Sequence, residues 1–157
     1  MKYFSILLLC ITLNAGCPFC DEAVLDKQKF YEDDFVYALY THKPIIPSHF
    51  LIIPKRHVER LEELTDEEML TIFHTLDKVQ KASSKVFHTV SYFIHQKNGI
   101  EVGQSVPHLH FHLIGKEEGD DSDVKFAFNL LISQLKSALT PSEIEPTLEA
   151  MRSALSQ

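Results

Sequence analysis

The spacing of hydrophobic and polar positions changes period several times along this chain, and each change marks a new element. Lys29-Phe30-Tyr31 and Phe35 to Tyr40 are β-rich runs on either side of the acidic turn Glu32-Asp33-Asp34, which predicts a hairpin. Lys43 to Ser48 is a proline-punctuated loop, and His49-Phe50-Leu51-Ile52-Ile53 reads as a buried strand stopped by Pro54. Thr65-Asp66-Glu67-Glu68 is a capping box. It opens a long amphipathic helix with apolar side chains at Met69, Ile72, Phe73, Leu76, Val79 and Val86. Val90 to Gln96 is a further strand, Asn98-Gly99 opens a turn, and Val106 to Ile114 is the next strand. An acidic loop follows from Gly115 to Asp123. Helical spacing returns at Val124, Phe128, Leu131, Leu135 and Leu139, and Thr140-Pro141-Ser142-Glu143 is a second capping box with proline at the first helical position.

Short links between strands and a single long helix among them favour an α+β class: a mostly antiparallel sheet of about five strands with additional C-terminal helices. The 157 residues hold one domain with a real core and hardly two. The expected organisation is an apolar segment at 1–16, a domain at 17–123 and a C-terminal helical extension at 124–157. In the first segment Lys2 precedes an apolar run, Tyr3 to Leu13, and then Asn14-Ala15-Gly16. That layout fits a secretory signal, which would make the protein exported, and fits equally an N-terminal element packed on the domain. The run is too short to span a bilayer as a mature helix.

Composition narrows the function classes. Hydrophobic content of 45% and charged content of 24% are ordinary for a globular chain. A net charge of -7 argues against binding long nucleic acid, which is met by basic surfaces, yet leaves a mononucleotide open. No Gly-rich loop of the P-loop or dinucleotide-binding kind is present. Three cysteines make no disulfide framework; Cys10 lies in the apolar run, and Cys17 and Cys20 are spaced C-x-x-C, a zinc knuckle or a redox pair.

The densest chemistry is His108-Leu109-His110-Phe111-His112. In a strand, alternate side chains share a face about 6.5 Å apart. The three imidazoles would line one face, with Leu109, Phe111 and Leu113 on the other. Imidazole serves near neutral pH as nucleophile, proton carrier or metal ligand. Three readings compete: an incidental polar face, one metal held by all three rings, or a phosphate pocket. A straight row diverges from a single ion, which weighs against the second. Gly103-Gln104-Ser105 lead into the strand after Asn98-Gly99, and such a stretch supplies close backbone approach and neutral donors for phosphate.

Gly103-Gln104-Ser105-Val106-Pro107-His108-Leu109-His110-Phe111-His112 resembles the signature of the histidine triad hydrolases and transferases. The resemblance runs upstream through Pro47 to His57 and to Cys17-Pro18-Phe19-Cys20, covering about residues 17–116, and Val58-Glu59-Arg60-Leu61 is most similar to the fragile-histidine-triad branch, which cleaves dinucleoside polyphosphates. It implies His110 as the nucleophile of a covalent nucleotidyl-histidine intermediate. His112, Ser105, Gln104 and Asn98 would contact substrate phosphate, with His49 supporting them from behind. It implies a structural zinc ion on Cys17, Cys20, His57 and His108, as in some bacterial-type members. It also implies an adenine nucleotide substrate (a dinucleoside polyphosphate or a nucleoside phosphoramidate), a homodimer with a continuous sheet, and a cytoplasmic location. A slow-turnover signalling module, a nucleotidyltransferase and a zinc-stabilised interaction protein are the alternatives. The chain departs from the family at Thr41, where Asn or Asp is frequent, and at Lys97, where Asn or Gln is frequent. Lys97 would favour a more highly phosphorylated substrate or be a solvated turn residue. His42, His74, His88 and His95 are read as surface or boundary positions.

Overall fold

A computed structural model describes residues 16–120, 122–133 and 135–157. The signal-like run and Cys10 lie outside the described residues. Five strands, β1 (Lys29–Glu32), β2 (Val36–Tyr40), β3 (His49–Pro54), β4 (Thr89–Gln96) and β5 (Phe111–Glu117), form one sheet in the order β1-β2-β3-β5-β4. Every neighbouring pair is antiparallel. The helices are α1 (Glu22–Gln28), α2 (Asp66–Phe87), α3 (Asp123–Ser133) and α4 (Pro141–Leu155). No helix among the described residues is long and apolar enough to cross a membrane.

The sheet has two faces of different character. On one, Val36, Ala38, Tyr40, Phe50, Ile52, Phe111 and Leu113 pack with Ile72, Leu76 and Val79 of α2 and with Ile144, Leu148, Met151 and Ala154 of α4. Those α4 residues recur at helical spacing, so the C-terminal extension shares the domain's core rather than lying beyond it. On the other face, Leu39, Leu51 and Ile53 are buried with Cys17, Phe19 and Leu25 of the segment leading into and through α1. The rest of this face, toward β5 and β4, carries the polar chemistry. β3 is buried on both sides and reads as an unbroken apolar run for that reason.

Local signals explain the element ends. Thr65 caps α2 by accepting from the Glu68 amide at 3.2 Å, while Glu68 takes the Thr65 amide at 2.8 Å. The same carboxylate holds Arg56 through two bonds, of 2.9 and 2.7 Å, which fastens the segment after β3 to the helix start. Asp21 caps α1 through the Ala23 amide at 2.9 Å; this helix was not foreseen in the sequence, because seven residues hardly establish a period.

Two expectations are corrected. The run Val106 to Ile114 is not one strand: β5 begins at Phe111. Pro107 offers no amide to a ladder, the His108 amide folds back to Val106 O at 2.8 Å, and the Leu109 amide goes to Val58 O at 2.7 Å. The stripe Val124, Phe128, Leu131 and Leu135 does mark a helix over its first three members, but all four side chains are exposed. α3 instead leans on the sheet through Phe126, whose ring meets Phe93 of β4 at 5.1 Å.

Candidate active site and metal centre

Because the chain turns between Val106 and Phe111, the three histidines do not share one pocket. His108 points away from its two companions, toward Cys17, Cys20 and His57, and these four offer ligand atoms all within 4.8 Å of one another. His108 Nδ1 stands 3.4 Å from Cys17 Sγ and 3.6 Å from Cys20 Sγ, and His57 Nδ1 stands 3.3 Å from Cys20 Sγ. Zinc bonds of about 2.3 Å to sulfur and about 2.0 Å to nitrogen put tetrahedral neighbours about 3.5 Å apart, so the donor set fits. His108 Nε2 lies 2.9 Å from Pro54 O, which can only accept, so that nitrogen carries the proton and the Nδ1 lone pair faces the sulfurs. Desolvation, with the neighbouring Cys17 sulfur, pushes the Cys20 thiol up to about 11, whereas a cation between the sulfurs would favour thiolates. The group can therefore hold a metal ion.

The second region lies across His110 and His112, whose ring centroids are 5.0 Å apart. His110 Nδ1 lies 2.7 Å from His108 O. A carbonyl only accepts, so Nδ1 carries the proton and Nε2 keeps its lone pair. Nε2 has no hydrogen-bond partner among the described residues. Burial lowers the pKa of His110 from the usual imidazole value, which keeps the ring neutral at pH 7. Phe19 meets the His110 ring edge-on at 5.4 Å and fixes its plane.

His112 sits on β5 and is oriented from behind. The Ile45 amide donates to His49 Nδ1 at 3.2 Å, so His49 carries its proton on Nε2 and donates to His112 Nδ1 at 2.8 Å. His112 is thereby left with Nε2–H as a free donor. Burial pushes His49 down to about 4, and burial with the neighbouring rings pushes His112 down to about 2; both are neutral at pH 7. The cluster is thus a set of uncharged imidazoles whose tautomers are set by backbone groups.

The remaining sequence candidates are placed differently. Asn98 binds the Leu61 amide at 2.7 Å and Glu62 at 2.9 Å. Gln104 takes the Gly99 amide at 2.7 Å and gives to Glu59 O and Val106 O at 2.9 and 3.1 Å. Both amides, read from the sequence as phosphate donors, are engaged in building the 98–104 loop. Ser105 is exposed beside that loop, and Thr41 is buried at the end of β2. His95, read from the sequence as a surface or boundary residue, is exposed and also borders the site: it pairs with His112 across the β4–β5 ladder, with ring centroids 5.7 Å apart. Its place depends on strand register, which one strand's sequence does not carry.

Known proteins resemble this chain in sequence and in fold. A family model described as the HIT domain matches residues 22–119. The chain is 38% identical over 104 residues to the bis(5'-nucleosyl)-tetraphosphatase (asymmetrical) of Schizosaccharomyces pombe, covering 66% of this chain and 57% of that protein. It thus spans little more than half the length of that relative. It is 35% identical over 112 residues to an uncharacterised HIT-like protein of Methanocaldococcus jannaschii, covering 70% of this chain and 86% of the other. Among solved structures, a zinc-bound histidine triad family protein of Mycobacterium smegmatis superposes with a TM-score of 0.69 at 23% identity, over 90% of this chain and 94% of that one, a likeness of fold. With the family model matching 22–119, the chain belongs to the HIT domain family.

Proposed function

We propose that the protein is a nucleotide phosphohydrolase that works through a covalent nucleotidyl-His110, acting on dinucleoside polyphosphates first and nucleoside phosphoramidates second, with adenine as the favoured base. The observation that carries this reading is the 2.7 Å contact of His110 Nδ1 with His108 O, which leaves a neutral ring with an unshared pair on Nε2. A neutral imidazole attacks phosphorus without prior activation, and the phosphoramidate it forms is readily cleaved. Nε2 forms the N–P bond to the α-phosphorus while the bond to the bridging oxygen breaks, and the remaining polyphosphate departs with that electron pair. Water then attacks the same phosphorus, the N–P bond breaks, its pair returns to Nε2, and the proton goes to solvent. His112 donates from Nε2–H to a phosphate oxygen throughout, and Ser105 adds a hydroxyl from the loop rim. Gln104 and Asn98 act on phosphate indirectly, by holding the loop that carries Ser105. His49 orients His112.

Zinc would be held by Cys17, Cys20, His57 and His108. Four protein ligands close its shell, so when bound it supplies folding stability and fixes His108, whose carbonyl orients His110. The protein pairs with a second copy through the free edge of β4. Val90, Tyr92 and Ile94 of that strand are exposed, and an apolar edge of this kind is ordinarily covered. Sedimentation should give a dimer that Tyr92→Lys weakens; a monomeric wild-type chain overturns the pairing.

The decisive experiment is to quench a reaction with diadenosine tetraphosphate and weigh the protein. A mass increase of one adenylyl group on the wild-type chain, absent in His110→Asn, is expected, together with a loss of turnover of about 10⁴-fold or more in the variant. Turnover that persists in His110→Asn removes the mechanism.

A further inference from the structure

Of the four side chains in the metal group, Cys20 is the exposed one, while its neighbour Cys17 is buried. The Cys20 amide donates to Cys17 O at 3.1 Å, which closes a tight turn around Pro18 and Phe19. Both sulfurs approach His108 Nδ1, at 3.4 and 3.6 Å. They lie within 4.8 Å of each other, against about 2.05 Å in a disulfide, so side-chain rotation and a slight tightening of the turn would join them. His108 does not depend on the sulfurs for its place, because Pro54 O holds its Nε2 at 2.9 Å. The turn also carries Phe19 between the two cysteines. The Phe19 ring lies edge-on to His108 at 5.7 Å and to His110 at 5.4 Å. A movement of the turn therefore reaches the His110 ring through one side chain.

We propose that Cys20 is a site of oxidation by hydroperoxides, resolved by Cys17, and that the resulting disulfide disengages the metal group and His110 together. A metal-held cysteine is a thiolate, and the thiolate is the form that peroxide oxidises. Cys20 Sγ attacks one peroxide oxygen and the O–O bond breaks. The other oxygen leaves as hydroxide and takes a proton to become water, so that Cys20 is a sulfenic acid. Cys17 Sγ then attacks Cys20 Sγ, the S–S bond forms, the S–O bond breaks, and a second hydroxide leaves to become water. The two sulfurs lose two electrons in all, and the peroxide gains them. His57 and His108 remain as two donors where four stood, too few for a tetrahedral shell. The turn, tightened by the new bond, carries Phe19 away from the edge of His110. The disulfide rests on the knuckle geometry alone, and only its effect on turnover rests on the nucleotidyl-transfer reading.

The test uses the full-length, zinc-loaded chain carrying Cys10→Ser, so that Cys17 and Cys20 are its only thiols, treated with hydrogen peroxide in slight excess. Mass spectrometry should find a protein lighter by two hydrogens, with residues 17 and 20 joined within one peptide. A colorimetric chelator should detect zinc released in step with the disulfide. In proton NMR the His110 Nδ1–H signal, set by its bond to His108 O, should shift or vanish. Turnover of diadenosine tetraphosphate should fall about tenfold or more, since small misplacements of a reacting group are costly. A thiol reductant with added zinc should restore each of these. If peroxide leaves the mass unchanged, or adds oxygen without joining the sulfurs, the oxidation site is wrong. If the disulfide forms while the His110 signal and turnover stay as they were, the link through Phe19 is wrong. If the reduced, zinc-loaded protein never turns over the nucleotide, the hydrolase reading fails, and mass, zinc release and the His110 signal still decide the inference.

Discussion

The two histidine-rich regions are made of nearly the same material and are set up for different work. Around Cys17 and Cys20, His108 turns an unprotonated Nδ1 toward sulfur and His57 brings its Nδ1 to 3.3 Å from Cys20 Sγ. Around His110, the rings of His49 and His112 meet one another and the backbone, with no thiol among their hydrogen-bond partners in the described residues. His108 and His110 are two residues apart, and the backbone between them serves both regions. His108 gives its ring to the first and its carbonyl to the second. What separates the roles is the partner of the other ring nitrogen. His108 donates Nε2–H to Pro54 O and keeps the lone pair on Nδ1; His110 donates Nδ1–H to His108 O and keeps the lone pair on Nε2. Residue type alone does not assign function here, and tautomer does.

The largest effect that can break this contrast is loss of a sulfur. Cys17 is buried and its Sγ is 3.4 Å from His108 Nδ1. Elemental analysis should find one zinc ion per wild-type chain and none in Cys17→Ser, whose stability should fall by about 3–5 kcal/mol, a drop in melting temperature of about 6–20 °C for a chain of this size. His112→Asn, on the other side, should keep its zinc in full. A Cys17→Ser protein that retains zinc and melts with the wild type would mean that the two regions are not distinct.

How far the sequence discloses this contrast depends on the range of the interactions involved. The capping boxes at Thr65 and Thr140 and the hairpin around Asp33 are local, and they stand where the pattern puts them. The GQSVPHLHFH stretch is specific enough to mark the site without coordinates. Strand alternation alone, however, aims His108 and His110 the same way, and Pro107 prevents that by breaking the ladder before β5. His95 was hidden for a different reason: the β4–β5 register that sets it opposite His112 is a pairing between segments 17 residues apart in sequence. The α3 stripe misled because spacing shows that a helix has an apolar face and cannot show whether anything covers it.

A smaller effect sharpens the contrast on the phosphate side. His49 is held down to about 4 in the folded protein by burial, against a usual imidazole value of about 6.5 when unfolded. Between those two values the unfolded chain binds a proton at this position and the folded chain does not. Stability therefore declines as the pH is lowered from about 6.5 to about 4, at a slope of about 1 kcal/mol per pH unit for this one group, and the decline from it levels off once the folded ring also protonates. Zinc ligands are lost over part of the same range, so wild type and His49→Gln are compared at equal zinc content by urea unfolding at each pH. The variant keeps an amide able to accept from Ile45 and donate to His112, and it cannot titrate. Its stability should fall less steeply than that of the wild type between those limits, with the two curves running parallel above about pH 7. Identical slopes throughout would show that His49 is not neutral in the folded protein, and the chain of donors from Ile45 to His112 Nε2 would have to be redrawn with a charged ring at its centre.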